Sequence, residues 1–237
     1  MVTEKNKIRI QPRDIAFLSE CWIYKVETRQ SISTLPLFSS TSPEAIKSFI
    51  SRHRRAGTIA SAPYVGGSYY YLTKFGGAII GKDDVTGEPL KPDPFIRAYS
   101  ILSFCRLQEE KRTLINPDEF KRHFPDCWQP GRRINNFFID TAPPKPRLSY
   151  IRVDFGRTSK ANQILAACRR DISKMMNHSG FVDLKESGEL QMTVITAMQV
   201  RKQRLDRMIQ LLDEPLEIPV KTVAIESLRD VIAPLKY

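Results

Sequence analysis

No segment limits the possible folds more than Gly81–Pro94, GKDDVTGEPLKPDP. Three prolines, two glycines and alternating charges can neither continue a helix nor fill a core strand. A chain broken there is expected to fold as two modules, 1–82 and 95–237, joined by a linker over 83–94. At 237 residues the chain is long enough for two cores that need no disulfide staples.

Charge narrows the class of partner. Lys+Arg 37 against Asp+Glu 26 gives +11, which favours polyanions such as nucleic acid. Residues 1–92 carry +5 and residues 93–237 carry +6, so the surplus belongs to both modules rather than to a basic tail. No run of 18 apolar residues supports a transmembrane helix. The charged start, MVTEKNKIRIQPR, lacks the apolar stretch of a signal peptide, and a cytoplasmic location is expected. Cys21, Cys105, Cys127 and Cys168 form no CxxC pair, so reduced, packed thiols are expected. The three histidines are scattered, which argues against a His-rich metal site.

The first module has the clearest pattern. From Pro12, the apolar residues Ile15, Phe17, Leu18, Trp22 and Val26 follow helical spacing. A short helix fits Glu27–Leu35. Ser42, Pro43 and Glu44 then form a strong N-terminal signal for a helix ending at Ala56-Gly57. Ala45, Ile46, Phe49, Ile50 and His53 make its apolar stripe, with His53 read as a packed residue. Lys47, Ser48, Ser51, Arg52, Arg54 and Arg55 occupy the other side. Thr58–Tyr64 and Ser68–Leu72 flank Val65-Gly66-Gly67, a hairpin signal. Among Tyr69, Tyr70 and Tyr71, strand alternation predicts at least one core and one exposed ring.

Helices followed by a hairpin and a terminal helix is the order of a winged helix-turn-helix. The 43–56 helix would enter a DNA major groove with its basic face, and Gly66 and Gly67 at the wing tip would approach the backbone.

The second module reads as helix, two strands, helix, strand, helix, strand: a mixed α/β sheet. Predicted strands cover 135–140, 147–155, 190–196 and 220–225, with long helices over 159–176 and 197–212. This is also the order of a restriction-endonuclease-like, PD-(D/E)xK, core. Asp140 and Asp154 end successive strands 14 residues apart, a spacing expected to bring the carboxylates side by side in a hairpin. Such a pair would hold Mg2+ or Mn2+ and activate a water for phosphodiester cleavage.

A winged helix-turn-helix followed by Arg152-Val-Asp-Phe-Gly-Arg-Thr-Ser159, a basic helix and Met192-Thr-Val-Ile-Thr196 resembles the replication-relaxation proteins of plasmids and conjugative elements. More distantly it is similar to relaxases built on a restriction-endonuclease-like domain. The chain departs from the family pattern in having Arg152 two positions before Asp154 and Gly156 where the motif has lysine. Arg157 or Lys160 would have to supply the cation, and Glu109 or Glu110 an upstream carboxylate.

The resemblance implies a sequence-specific double-stranded DNA-binding protein of a mobile element, acting in conjugative mobilisation, replication control or transcription regulation. Relaxosome or replication proteins and a second copy of the chain are expected partners. Binding would need no cofactor. Arg157 and Lys160 join the DNA-contacting set. The competing expectation is a metal-dependent nickase using Asp140 and Asp154. A third is a module whose basic surfaces dock acidic proteins.

Overall fold

The structure, a computed structural model, describes residues 9–110, 112–128, 136–141, 145–155 and 161–232. It is a mixed α/β protein dividing into two compact units, 1–109 and 110–237. Among the described residues, no helix is long and apolar enough to cross a membrane.

The first unit begins with α1 (Pro12–Tyr24), started by a Gln11/Asp14 capping box and stopped by Lys25, whose φ of +65° breaks the helix. Glu27 forms an antiparallel bridge with Tyr70, and Thr28 caps α2 (Arg29–Ser33). Then come α3 (Pro43–Arg55), the hairpin β1 (Ile59–Tyr64) and β2 (Gly67–Leu72), α4 (Lys74–Ile79) and α5 (Pro92–Leu102). A π-helical turn, Ser103–Leu107, follows directly. Phe17, Leu18, Trp22, Ile32, Phe38, Ile46, Phe49, Ile50, Tyr70 and Leu72 belong to one core.

The division does not fall in the expected linker, because α5 and the π turn belong to the first unit. Strand alternation supplies the reason. Ile59, Ser61, Tyr70 and Leu72 share the face turned to the helical core, while Tyr64, Tyr69 and Tyr71 share the other. That second face is covered too: Tyr69 lies 4.6 Å from Phe95 of α5, and Tyr64 lies 5.5 Å from Tyr99. Hence Tyr69 and Tyr70 are both buried and Tyr71 is half-buried, where alternation alone predicted an exposed ring. Arg106 in the π turn pairs with buried Glu27 at 2.8 Å, also pairs with Glu20, and stacks over Tyr24. Gly81–Lys91 is therefore a loop inside this unit. Asp84 within it accepts a hydrogen bond from Trp22 Nε1.

The second unit contains α6 (Pro117–His123) and a four-stranded sheet ordered β3 (Phe137–Asp140), β4 (Arg147–Asp154), β5 (Leu190–Thr196), β6 (Val220–Ala224). β3 is antiparallel to β4, whereas β4, β5 and β6 are mutually parallel. An isolated bridge from Leu114 to Phe138 adds a rudimentary antiparallel edge beside β3. α7 (Ala161–Met176) and α8 (Ser179–Glu186) connect β4 to β5, and α9 (Gln199–Gln210) connects β5 to β6. A short α10 (Leu228–Ile232) closes the described chain.

Sequential parallel strands joined by crossovers of one hand place their helices on one side. Phe137, Leu148, Leu190, Met192 and Val194 accordingly share a core with Phe120, Ile164, Cys168, Ile172, Phe181 and Leu205 from α6 to α9. Phe138, Ser149, Ile151, Gln191, Thr193 and Ile195 point to the opposite face. All of β5 is buried, as its near-continuous apolar run implies. The four cysteines are buried free thiols, and burial pushes the Cys168 thiol up to about 11.

Candidate nucleic-acid interface

α3 is built as its sequence predicts. The Ser42 hydroxyl accepts from Ala45 N–H at 3.2 Å, and Pro43 opens the helix. Ile46, Phe49, Ile50 and His53 turn inward; Ala45, expected on the apolar stripe, is exposed. The Phe49 ring meets Phe17 edge-on at 5.1 Å and Phe38 at 4.9 Å.

His53 sits in a buried polar chain. Its Nε2 lies 3.1 Å from Asp14 Oδ1 and its Nδ1 2.8 Å from Thr58 Oγ1. Asp14 also accepts from Gln11 N–H at 2.9 Å and pairs with Arg52. Burial lowers the His53 pKa below its usual 6.5, against the pull of Asp14. A neutral ring gives each nitrogen a partner when Nε2–H donates to Asp14 and Nδ1 accepts the Thr58 hydroxyl proton. Burial works to raise the Asp14 pKa, but Gln11 N–H, His53 and Arg52 together hold it below 3.8.

This network sorts the predicted contact residues. Lys47, Ser48, Arg54 and Arg55 are exposed on α3. Ser51 is half-buried, and its carbonyl accepts from Arg55 Nε at 3.4 Å. Arg52 is turned back: it pairs with Asp14 and lies 5.1 Å over the Phe49 ring. Its charge ties α3 to α1. Arg13 of α1 lies over the same ring at 5.1 Å, adding a cation beside α3 that helical periodicity gave no means of finding.

The hairpin tip is a two-residue turn, Val65-Gly66, between the paired residues Tyr64 and Gly67. A Cβ on Gly66 would stand 2.7 Å from the Tyr64 ring, and Gly67 has φ +128°. The positive φ of Gly67 is the conformation that favours glycine. From Gly57 to Thr73 the chain carries no charged side chain, so the tip offers main-chain N–H groups, Ser68 and exposed Val65 rather than cations.

Between this tip, α2 and the start of α3 lies a groove of about 730 Å³. Arg29, Gln30, Ser33 and Thr41 line one side, and Gly66, Gly67 and Ser68 the other. Arg29 was not predicted. It heads α2, and only the folded hairpin brings it opposite the tip.

In the second unit the predicted carboxylate pair does not form. Asp140 is paired with Arg147 at the start of β4, whereas Asp154 ends that strand. Seven residues of strand separate the two levels by about 23 Å. They also lie on opposite faces: Asp140 shares its face with Arg147 and Ser149, and Asp154 with Leu148 and Tyr150. A hairpin juxtaposes residues symmetric about its turn, and 140 and 154 are not symmetric about 141–146.

Each carboxylate has its own partners. Asp140 accepts from Gln191 Nε2 at 2.9 Å and faces Lys221 Nζ at 3.6 Å. Asp154, nearly fully buried, receives Nε and NH2 of Arg201. Arg152 pairs with Asp171. Among the described residues, no group of three or more His, Cys, Asp or Glu is placed to hold a metal. Arg157 and Lys160, also expected to contact DNA, lie outside the described residues.

Comparison with protein-family models, with curated proteins and with solved structures finds no match to this chain.

Proposed function

We propose that the first unit is a winged helix-turn-helix that binds double-stranded DNA, with α3 in the major groove and the β1–β2 tip against the adjacent backbone. The observation that carries this reading is the solvent-facing row Lys47, Ser48, Arg54 and Arg55 on a helix flanked by the groove to Gly66-Gly67. The Glu27–Tyr70 bridge supports it by adding a third strand position, between α1 and α2, to the hairpin ladder. Winged helices are built in that order. The α3 cations and hydroxyls supply base-edge and phosphate donors. The uncharged wing contributes shape and N–H groups.

The second unit is proposed as a restriction-endonuclease-like sheet used for binding and assembly. The Leu114 edge makes β3 the second position of a sequential sheet, antiparallel to the rest, as in that core. Separation of Asp140 from Asp154 removes the carboxylate pair on which Mg2+- or Mn2+-dependent nicking was expected to rest. The protein is read as a DNA-binding component of a mobile element, acting in mobilisation, replication control or transcription regulation.

The test is the salt dependence of binding to a fluorescein-labelled duplex of mixed sequence. Lys47→Ala with Arg54→Ala, both at exposed positions, should reduce the slope of log K against log salt by about 1.8. An unchanged slope refutes the assignment of α3.

A further inference from the structure

The outer face of α9 carries a row that neither the fold nor DNA binding uses. Val200, Arg204 and Arg207 on the helix and Leu211 at its C-cap are spaced four, three and four residues apart, one narrow stripe. Val200 is 76% exposed and Leu211 71%, and Met198 beside the first turn is 39% exposed. These are three of the six large apolar residues that the described chain leaves exposed. The helix needs none of them for packing, because Leu205 and Met208 on its other side join the core.

The charges on α9 divide in the same way. Arg201 is taken by Asp154. Asp206, the helix's one acid, accepts from Lys202 Nζ at 2.7 Å and from the Thr222 hydroxyl. Arg204 and Arg207 are exposed and form no ion pair among the described residues. The stripe thus reads apolar, cation, cation, apolar over three helical turns, about 16 Å.

We infer that this stripe is the docking surface for an acidic amphipathic helix of a partner protein, one that places carboxylates between two apolar residues. Charge complementarity selects that occupant. A second copy meeting α9 across a two-fold axis would set Arg204 and Arg207 against themselves. A phosphate backbone would satisfy the arginines but leave Val200 and Leu211 with nothing to bury them. A helix with apolar residues eleven apart and Glu or Asp between them meets all four positions. The contact is small, so the complex is a transient one of micromolar affinity.

The experiment is selection of helical peptides from a displayed library on the intact chain. The selected peptides are then titrated by fluorescence anisotropy. Enriched sequences should carry Leu or Ile eleven residues apart with carboxylates between. Their Kd should weaken at least tenfold on Arg204→Glu with Arg207→Glu and on Val200→Ser with Leu211→Ser. Peptides with Lys in place of the carboxylates should bind the Arg204→Glu, Arg207→Glu variant better than the parent. Binders indifferent to both variants, or no enrichment of acidic helices, overturn the inference. So does duplex binding that falls with the arginine reversal while no peptide binds, since the stripe would then be a DNA surface.

Discussion

Replacing Asp14 by Ala tests whether the buried network behind α3 holds that helix in place. Three interactions end together. The Gln11 N–H loses its acceptor at the start of α1, worth about 1 kcal/mol by analogy with other N-caps. His53 Nε2–H is left without an acceptor in a fully buried site, worth about 1–3 kcal/mol. Arg52 keeps over a third of its side chain in water, so its lost partner adds about 0–1 kcal/mol. The sum is about 3 kcal/mol, roughly a 10–20 °C fall in the melting temperature of a unit this size.

Urea unfolding read by Trp22 fluorescence in a Trp128→Phe background reports the first unit alone. The midpoint should fall with an unchanged m-value. The pH dependence gives an independent check. His53 has its folded pKa below 6.5, so the unfolded chain binds that proton more readily. Its contribution is complete above pH 6.5 and declines as pH falls from there toward the folded value. Asp14, held below 3.8, contributes above that pH and is lost as pH falls through its folded value. Asp14→Ala should abolish the lower limb. A cost under about 1 kcal/mol, or an unaltered acid limb, would refute the reasoning.

Two further substitutions probe other parts of the fold. Gly76→Ala would set a Cβ 2.0 Å from the Thr58 carbonyl oxygen, which Thr73 N–H and Oγ1 already hold in place. The same urea assay should show a loss of about 3 kcal/mol. Asp154→Ala should cost the second unit about 3–5 kcal/mol by breaking a buried ion pair from one side, while Asp154→Leu with Arg201→Met should recover much of that loss, both followed by Trp128 in a Trp22→Phe background.

Local chemistry made much of this protein legible in one dimension. Ser42-Pro43-Glu44 marks the start of α3 because the cap, the ring and the dipole act within a single turn. Val65-Gly66-Gly67 marks the hairpin because Gly67 takes a positive φ that other residues rarely adopt. The inward set Ile46, Phe49, Ile50 and His53 follows from periodicity, as does burial of β5. The exposed cations Lys47, Arg54 and Arg55 are on the side where periodicity put them.

Other features rested on contacts between distant residues. Arg52 carries the same charge as Arg54 and Arg55 and was expected beside them, yet Asp14, 38 positions away, draws it inward. Arg29 faces the hairpin tip only once Tyr70 has bridged to Glu27. The proline-rich loop looked like a boundary because it breaks local structure. It could not reveal that Phe95 and Tyr99 beyond it would cover the second face of the hairpin. Asp140 and Asp154 fit a catalytic spacing by count, but strand register and face parity set them apart.

Periodicity, caps and turns act over a few residues and are written into neighbouring side chains. Pairing register, the choice of charge partners and the layer that closes a sheet depend on chain segments meeting in space. The basic surplus was plain from composition. Which arginines remain available to a partner was settled by folding, because Asp14, Glu27 and Asp154 hold Arg52, Arg106 and Arg201 in ion pairs.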